Sequence, residues 1–264
     1  MKISKIYKCF RDSFLYLIFK ILKGKKFRIN LIIIGGQRCG STSMINFLSN
    51  SKEIVTPKYN EQLFFFSHNY NQRNNFKSYH LKFLHNFYKK KGKEKIFAER
   101  TPDYCLQDLY MNRIYDYNSE IKIIFIFREP YQRIKSAFDL NKELYNLESF
   151  ESFLNNDEKY FISKFSFYCE IYQKIFKKFK VKNVLIIDFK ELNNNNTKIK
   201  ISKFLNIDLS KIEFPKKNSF KKDELSEQYI SAIKKKYGDT LDRDYSNFLK
   251  LYKEYETQFK KIYL

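Results

Sequence analysis

Leu31-Ile32-Ile33-Ile34-Gly35-Gly36-Gln37-Arg38-Cys39-Gly40-Ser41-Thr42-Ser43 is the stretch on which the fold turns. Its first four residues are a continuous apolar run, rich in β-branched side chains, as in a parallel strand buried on both faces. Gly35-Gly36 ends the run, and a helical pattern opens at Ser41-Thr42-Ser43 and continues through Leu48. A glycine-rich turn between a buried strand and a helix is where backbone N–H groups and the positive helix end hold a phosphate. Gly35 and Gly40 have the spacing of the Walker A pattern G-x-x-x-x-G-K-[ST], and Thr42 takes its [ST] position. Ser41 stands where that pattern requires lysine, and the loop's one cation, Arg38, lies inside the x-x-x-x stretch. A kinase or ATPase without its phosphate lysine fits this loop poorly. A plain turn joining strand to helix would use the same glycines.

Outward from the loop, Ile121-Lys122-Ile123-Ile124-Phe125-Ile126-Phe127 reads as a second buried strand. It runs into Arg128-Glu129-Pro130 and a helix from about Tyr131 to Leu144. Val184-Leu185-Ile186-Ile187 reads as a third strand, followed by a short helical turn near Phe189 to Leu192. Ile54-Val55 and Ile96-Phe97-Ala98 are weaker strand candidates. Phe161 to Phe179 predicts a long helix with Phe165, Tyr168, Tyr172, Ile175 and Phe179 on one core-facing stripe, and Asn193 to Asn196 a polar loop. Glu224 to Tyr237 and Asp242 to Tyr263 predict Lys-rich amphipathic helices covering one sheet face. Strands alternate with helices throughout. The expectation is an α/β, three-layer, P-loop-NTPase-like fold with a central, mostly parallel sheet flanked by helices.

The chain has 264 residues, with 51 Lys+Arg against 29 Asp+Glu, a formal net charge of +22. Aromatics alone are 19 % of the chain, which excludes intrinsic disorder. Only 6 Gly and 4 Pro exclude a collagen-like or linker-rich protein. No apolar run reaches the about 18 residues of a membrane span. The expected organisation is a basic amphipathic segment over residues 1–28 and a single domain over 29–264. Phe14 to Leu22 in that segment, interrupted by Lys20, reads as a surface helix touching anionic lipid or as a helix packed on the domain edge. Cys9, Cys39, Cys105 and Cys169 form neither a C-x-x-C pair nor a metal-like cluster with His68, His80 or His85. They read as reduced thiols of a cytoplasmic protein, and no metal site is expected.

The loop Ile33 to Ser43 resembles the 5′-phosphosulfate loop of sulfotransferases that use 3′-phosphoadenosine 5′-phosphosulfate (PAPS), in particular the bacterial and heparan-sulfate-type branch. Further segments are similar, in the family's order. Asn60-Glu61-Gln62-Leu63-Phe64-Phe65 resembles K-E-P-H-F-F, and Glu99-Arg100-Thr101-Pro102-Asp103-Tyr104 resembles E-K-T-P-x-Y. Phe127-Arg128-Glu129-Pro130 with Arg133 and Ser136 resembles the 3′-phosphate motif R-[DE]-P-x-x-R-x-x-S, and Tyr168 through Leu192 resembles a further family stretch. The resemblance runs from about Leu31 to Tyr237.

The resemblance implies an enzyme that moves a sulfuryl group from PAPS to a hydroxyl, or an amine, of a glycan or glycolipid. It implies nucleotide binding by Arg38, Cys39, Gly40, Ser41, Thr42, Ser43, Arg128 and Ser136, with Lys217 in a basic loop closing over the 3′-phosphate. Catalytic roles fall to Glu61, Arg38 and Arg100. Sulfuryl transfer, like phosphoryl transfer, proceeds in line and is catalysed mostly by positioning and charge stabilisation. Glu61, flanked by Phe64, Phe65 and Phe66, is the candidate base, desolvated by those rings. Arg38 and Arg100 each replace a family lysine. Arginine cannot serve as a proton donor here, so Arg38 is assigned electrostatic stabilisation only. The family's His is Leu63 and its Pro is Gln62, so the acceptor of the heparan-sulfate branch does not carry over directly. Two other readings stay beside this one: a P-loop nucleotide kinase, and a basic nucleic-acid-binding protein drawn by the +22 charge. The oligomeric state is not legible in the sequence.

Overall fold

The strands β1 (Leu31–Gly35), β2 (Ile54–Val55), β3 (Ile96–Arg100), β4 (Lys122–Phe127) and β5 (Val184–Asp188) form one sheet in the order β2-β3-β1-β4-β5. Every pairing is parallel. The computed structural model describes residues 29–57, 62–67, 95–145, 147, 149–214 and 225–264. All of β1 and β5 is buried, and in β4 only Lys122 is not. Both faces of the sheet are therefore covered, which is why the central strands read as unbroken apolar runs. Truncating one of their isoleucines, such as Ile32 or Ile124, to alanine is worth about 2–5 kcal/mol.

Register fixes where chemistry can sit. Ile33 of β1 lies opposite Arg100 of β3, and Gly35 lies opposite Ile126 of β4. The carboxyl ends of β3, β1 and β4 are thus side by side. The crevice outside such ends is where open α/β sheets bind ligands.

The helices are α1 (Ser41–Ser49), α2 (Asp108–Tyr117), α3 (Pro130–Tyr145), α4 (Phe150–Asn155), α5 (Asp157–Tyr160), α6 (Tyr168–Phe176), α7 (Asn195–Leu205), α8 (Glu227–Tyr237) and α9 (Asp239–Tyr263). The amphipathic α9 buries Leu241, Phe248, Tyr255 and Phe259 along one stripe. The Tyr255 hydroxyl accepts from the Ile186 N–H at 3.1 Å and donates to the Val184 carbonyl at 2.9 Å. Edge strand β5 is thereby partly covered, which blunts an otherwise open ladder. A second apolar cluster lies away from the sheet, where Ile134 and Phe138 of α3 meet Phe153 of α4 and Ile233 of α8.

Several expectations change. The helix placed from Phe161 begins at Tyr168, because Phe161 sits at φ 50°, in the left-handed region, and residues 161–166 turn instead. Asn195 and Asn196 open α7 rather than a loop, since the Asn194 side chain caps the helix by accepting from the Asn196 N–H at 3.0 Å. The helix α8 packs on α3 and α4 rather than on the sheet. Two short helices, α4 and α5, occupy the stretch from Lys142 to Tyr160 that carried no sequence signal. Among the described residues, no helix is long and apolar enough to cross a membrane. The segment 1–28 lies outside the described residues.

Candidate active site

The turn after β1 has backbone demands that only this sequence pattern meets. Gly35 sits at φ 144°, and a Cβ there would lie 2.2 Å from the Ile126 carbonyl oxygen of β4. Gly40, at φ 93°, caps α1 and packs against the Phe189 and Leu192 side chains, which would meet a Cβ at 2.8 and 2.9 Å. Between them Arg38 holds φ 74°, unusual for a residue with a side chain. The turn is closed by the Cys39 N–H donating to the Gly36 carbonyl at 3.1 Å. No side chain caps the start of α1, so the first-turn N–H groups of Ser41, Thr42 and Ser43 point toward the loop mouth without a protein acceptor from a cap. That is the electrostatic cradle expected for an anion.

Three guanidinium groups gather around this cradle, one from each neighbouring strand end and one from the loop. Arg38 Nε donates to Ser136 Oγ on α3 at 3.0 Å. Arg128, immediately after β4, donates from Nη1 to the Arg38 carbonyl at 3.3 Å and stacks on the Phe189 ring at 4.6 Å. Arg100, the last residue of β3, donates from Nη1 to Thr42 Oγ1 at 2.9 Å. Burial pulls all three below the usual arginine value, with Asp139 and Glu143 opposing that at Arg38. They remain cationic at neutral pH. Arg128 Nε is buried without a hydrogen-bond partner among the described residues, an orphan donor beside the loop. A bidentate anion fits that vacancy in the bonding. Glu129 does not pair with it; its carboxylate accepts the N–H groups of Tyr131 and Gln132 at the start of α3.

The structure brings Arg38, Cys39, Gly40, Ser41, Thr42, Ser43, Arg100, Arg128 and Ser136 to one place around the loop. Glu61 and Lys217 lie outside the described residues. Of the aromatic trio beside Glu61, Phe65 and Phe66 are buried in the core against Tyr117, and Phe66 also against Tyr104. They anchor that segment to the core.

Three residues were missed. Tyr168 is fully buried, donates from its hydroxyl to the Arg128 carbonyl at 2.6 Å and accepts from the Arg128 N–H at 3.3 Å, so it clamps the end of β4. Phe189 packs both Gly40 and Arg128. Glu99 is fully buried at the end of β3, where its Oε1 accepts from Thr101 Oγ1 at 2.8 Å and Tyr104 Oη at 2.6 Å. Its Oε2 has no hydrogen-bond partner among the described residues, and the Leu63 and Phe65 backbone groups lower the pKa of the carboxyl. Burial outweighs all of these and raises its pKa from 4.5 to about 7. A charged residue at an otherwise apolar strand position was the available signal.

A wholly parallel sheet whose central strand feeds a glycine loop and an uncapped helix defines a P-loop-like α/β protein, here with arginines in place of the Walker lysine. The chain belongs to the sulfotransferase-domain family, whose model matches residues 28–257. Heparan sulfate glucosamine 3-O-sulfotransferase 5 of mouse and of human are each 26 % identical to it over 168 residues, covering 60 % of this chain and 46 % of theirs. The chain therefore spans about half the length of the curated relatives it matches. A sulfotransferase from Alicyclobacillus acidocaldarius superposes with a TM-score of 0.67 at 18 % identity, covering 83 % of this chain and 94 % of that one. Sulfotransferase STF9 from Mycobacterium avium gives 0.53 at 8 % identity, covering 90 % and 80 %. These two likenesses concern the fold. The family, rather than a kinase or a nucleic-acid-binding protein, is the reading that these similarities favour.

Proposed function

We propose that the protein transfers a sulfuryl group from PAPS to a hydroxyl, or an amine, of a glycan or glycolipid. The observation that carries this is the convergence of Arg38, Ser136 and Arg128 where β1 and β4 end side by side. Two anionic groups on one nucleotide, a 5′-phosphosulfate and a 3′-phosphate, match a loop cradle with Arg128 and Ser136 beside it. In this reading the loop N–H groups with Ser41, Thr42 and Ser43 hold the 5′ side. Arg128 and Ser136 grip the 3′-phosphate, with Lys217 closing over it.

Bound at that place, PAPS supplies an activated sulfuryl group with a stable phosphate as leaving group. Glu61 accepts the proton of the acceptor hydroxyl as its oxygen attacks sulfur. Arg38 and Arg100 neutralise charge on the oxygens of the transferred and leaving groups. Neither donates a proton, and a phosphate leaving group does not require one. The glycan acceptor is supported by the name of the curated relatives, heparan sulfate glucosamine 3-O-sulfotransferase 5. The enzyme is proposed to be cytoplasmic, and the basic, amphipathic sequence of residues 1–28 supports a peripheral contact with a membrane surface.

Calorimetry with adenosine 3′,5′-bisphosphate against adenosine 5′-monophosphate tests the reading. The bisphosphate is expected to bind at least about a hundredfold tighter, as a charge-assisted 3′-phosphate contact implies. Equal binding of the two removes the 3′-phosphate site and with it the assignment of PAPS.

A further inference from the structure

Arg133, at the end of the first turn of α3, is the largest fully buried side chain among the described residues. Its fork is fully directed. Nε and Nη2 donate to Ser166 Oγ at 3.0 and 2.7 Å, and Nη2 also to the Ile162 carbonyl at 2.8 Å. Nη1 reaches the Gln37 carbonyl at 3.5 Å, within the glycine loop. Its stem passes under Gly36, where a Cβ would lie 3.1 Å from Arg133 Cδ. Every one of these acceptors is neutral.

Among the described residues no carboxylate forms an ion pair with Arg133. A carboxylate whose charge it feels, Asp157, already accepts from the Ser163 N–H at 2.8 Å and the Tyr237 hydroxyl at 3.2 Å. A buried guanidinium without a counter-charge is an expensive arrangement, several kcal/mol in general. Leucine or methionine would fill the same space without that penalty. The arrangement makes sense if the missing negative charge arrives from outside. The loop that Arg133 supports is the one whose opposite face offers N–H groups to an anion, and in a low-dielectric interior a fixed cation acts across such a short span.

We propose that Arg133 is a positioning residue for the nucleotide's 5′ anion: a buried, fixed cation beneath the glycine loop that shapes it through Gln37 and favours negative charge on its outer face. It touches no ligand. The inference rests on the nucleotide site proposed above, and it adds a fourth arginine, one with no direct contact, to the recognition of the phosphosulfate end.

The readout is the advantage of adenosine 3′,5′-bisphosphate over adenosine 3′-monophosphate, measured by calorimetry, because the two ligands differ only in the 5′-phosphate. Arg133→Met is expected to cut that advantage about tenfold while changing 3′-monophosphate binding little. Ser166→Ala, which removes a bond partner but keeps the charge, is expected to leave it within about twofold. Asp157→Asn removes the opposing negative charge and is expected to raise it about two- to threefold, a gain that structural damage does not produce and that serves even if Arg133→Met fails to fold. Equal weakening of both ligands by Arg133→Met, or no gain in Asp157→Asn, overturns the role of Arg133 and leaves the nucleotide site standing. A native protein that binds neither ligand overturns the nucleotide site and this role with it.

Discussion

Arg38 Nε and Ser136 Oγ, 98 residues apart in sequence, meet at 3.0 Å. One belongs to the loop proposed for the 5′-phosphosulfate and the other to the motif proposed for the 3′-phosphate. The two ends of the proposed nucleotide site are therefore joined by a direct bond, and Arg38 makes it from a left-handed backbone conformation.

Arg38→Ala is expected to abolish transfer, measured as sulfated product from PAPS and a glycan acceptor. Arg38→Lys is expected to keep much of the activity, because an ammonium still supplies the charge and reaches across the loop. Normal turnover in Arg38→Ala would show that the loop does not hold the transferred group. Ser136→Ala is expected to weaken adenosine 3′,5′-bisphosphate binding. In a double-mutant cycle its effect and that of Arg38→Ala are expected to be non-additive by about 0.5–3 kcal/mol, since the two side chains share a bond.

Phe189 supports Arg128, the residue proposed for the 3′-phosphate. Its ring carries the Arg128 guanidinium at 4.6 Å and also fills the space beside Gly40. Phe189→Leu keeps apolar packing and removes the ring face. It is expected to weaken bisphosphate binding by about 0.5–2 kcal/mol, the range of a partly desolvated cation–π contact, with less effect on adenosine 5′-monophosphate. Calorimetry with both nucleotides decides; an equal loss for the two would assign Phe189 to packing alone.

Gly35→Ala is expected to destabilise the whole sheet. The new Cβ meets the Ile126 carbonyl at 2.2 Å, and that oxygen belongs to the backbone of the adjacent central strand. Neither strand can yield without breaking the β1–β4 ladder. A loss of about 3 kcal/mol or more is expected in denaturant unfolding. Native stability in this variant would contradict the close approach of β1 and β4.

Much of this fold was legible because burial on both faces leaves a strong mark: Leu31 to Ile34, Ile123 to Phe127 and Val184 to Ile187 are unbroken apolar runs, and all three became central or edge strands close to the expected bounds. Arg38, Arg100 and Arg128 stood out through the resemblance of their motifs to those of the family. What was hidden depends on contacts between distant segments. Nothing local tells that Tyr168 closes on Arg128, or that Phe161 adopts φ 50° and ends a helical pattern. The helices α4 and α5 are short, and their stability comes from the second apolar cluster rather than from periodicity. Arg133 was noticed only as part of a motif, because a buried arginine looks in sequence like any other.

Glu99 makes the sharpest prediction about pH. Its folded pKa, about 7, lies above the 4.5 of an exposed glutamate, because burial opposes its charge more than Thr101 and Tyr104 support it. The folded state therefore holds a proton that the unfolded chain releases. Stability from this group is fully present below pH 4.5 and is lost as pH rises through 7, by on the order of 3 kcal/mol in total. Glu99→Gln keeps an oxygen for the Thr101 and Tyr104 hydroxyls and cannot ionise. Relative to the native protein, the variant is expected to gain stability from pH 5 up to about pH 7 and to level off above it. Denaturant unfolding at a series of pH values measures that difference directly, and any constant effect of the amide cancels from its slope. A difference that stays flat across the range would mean that Glu99 is already ionised in the folded state, as it is in the unfolded chain, and that burial does not raise its pKa.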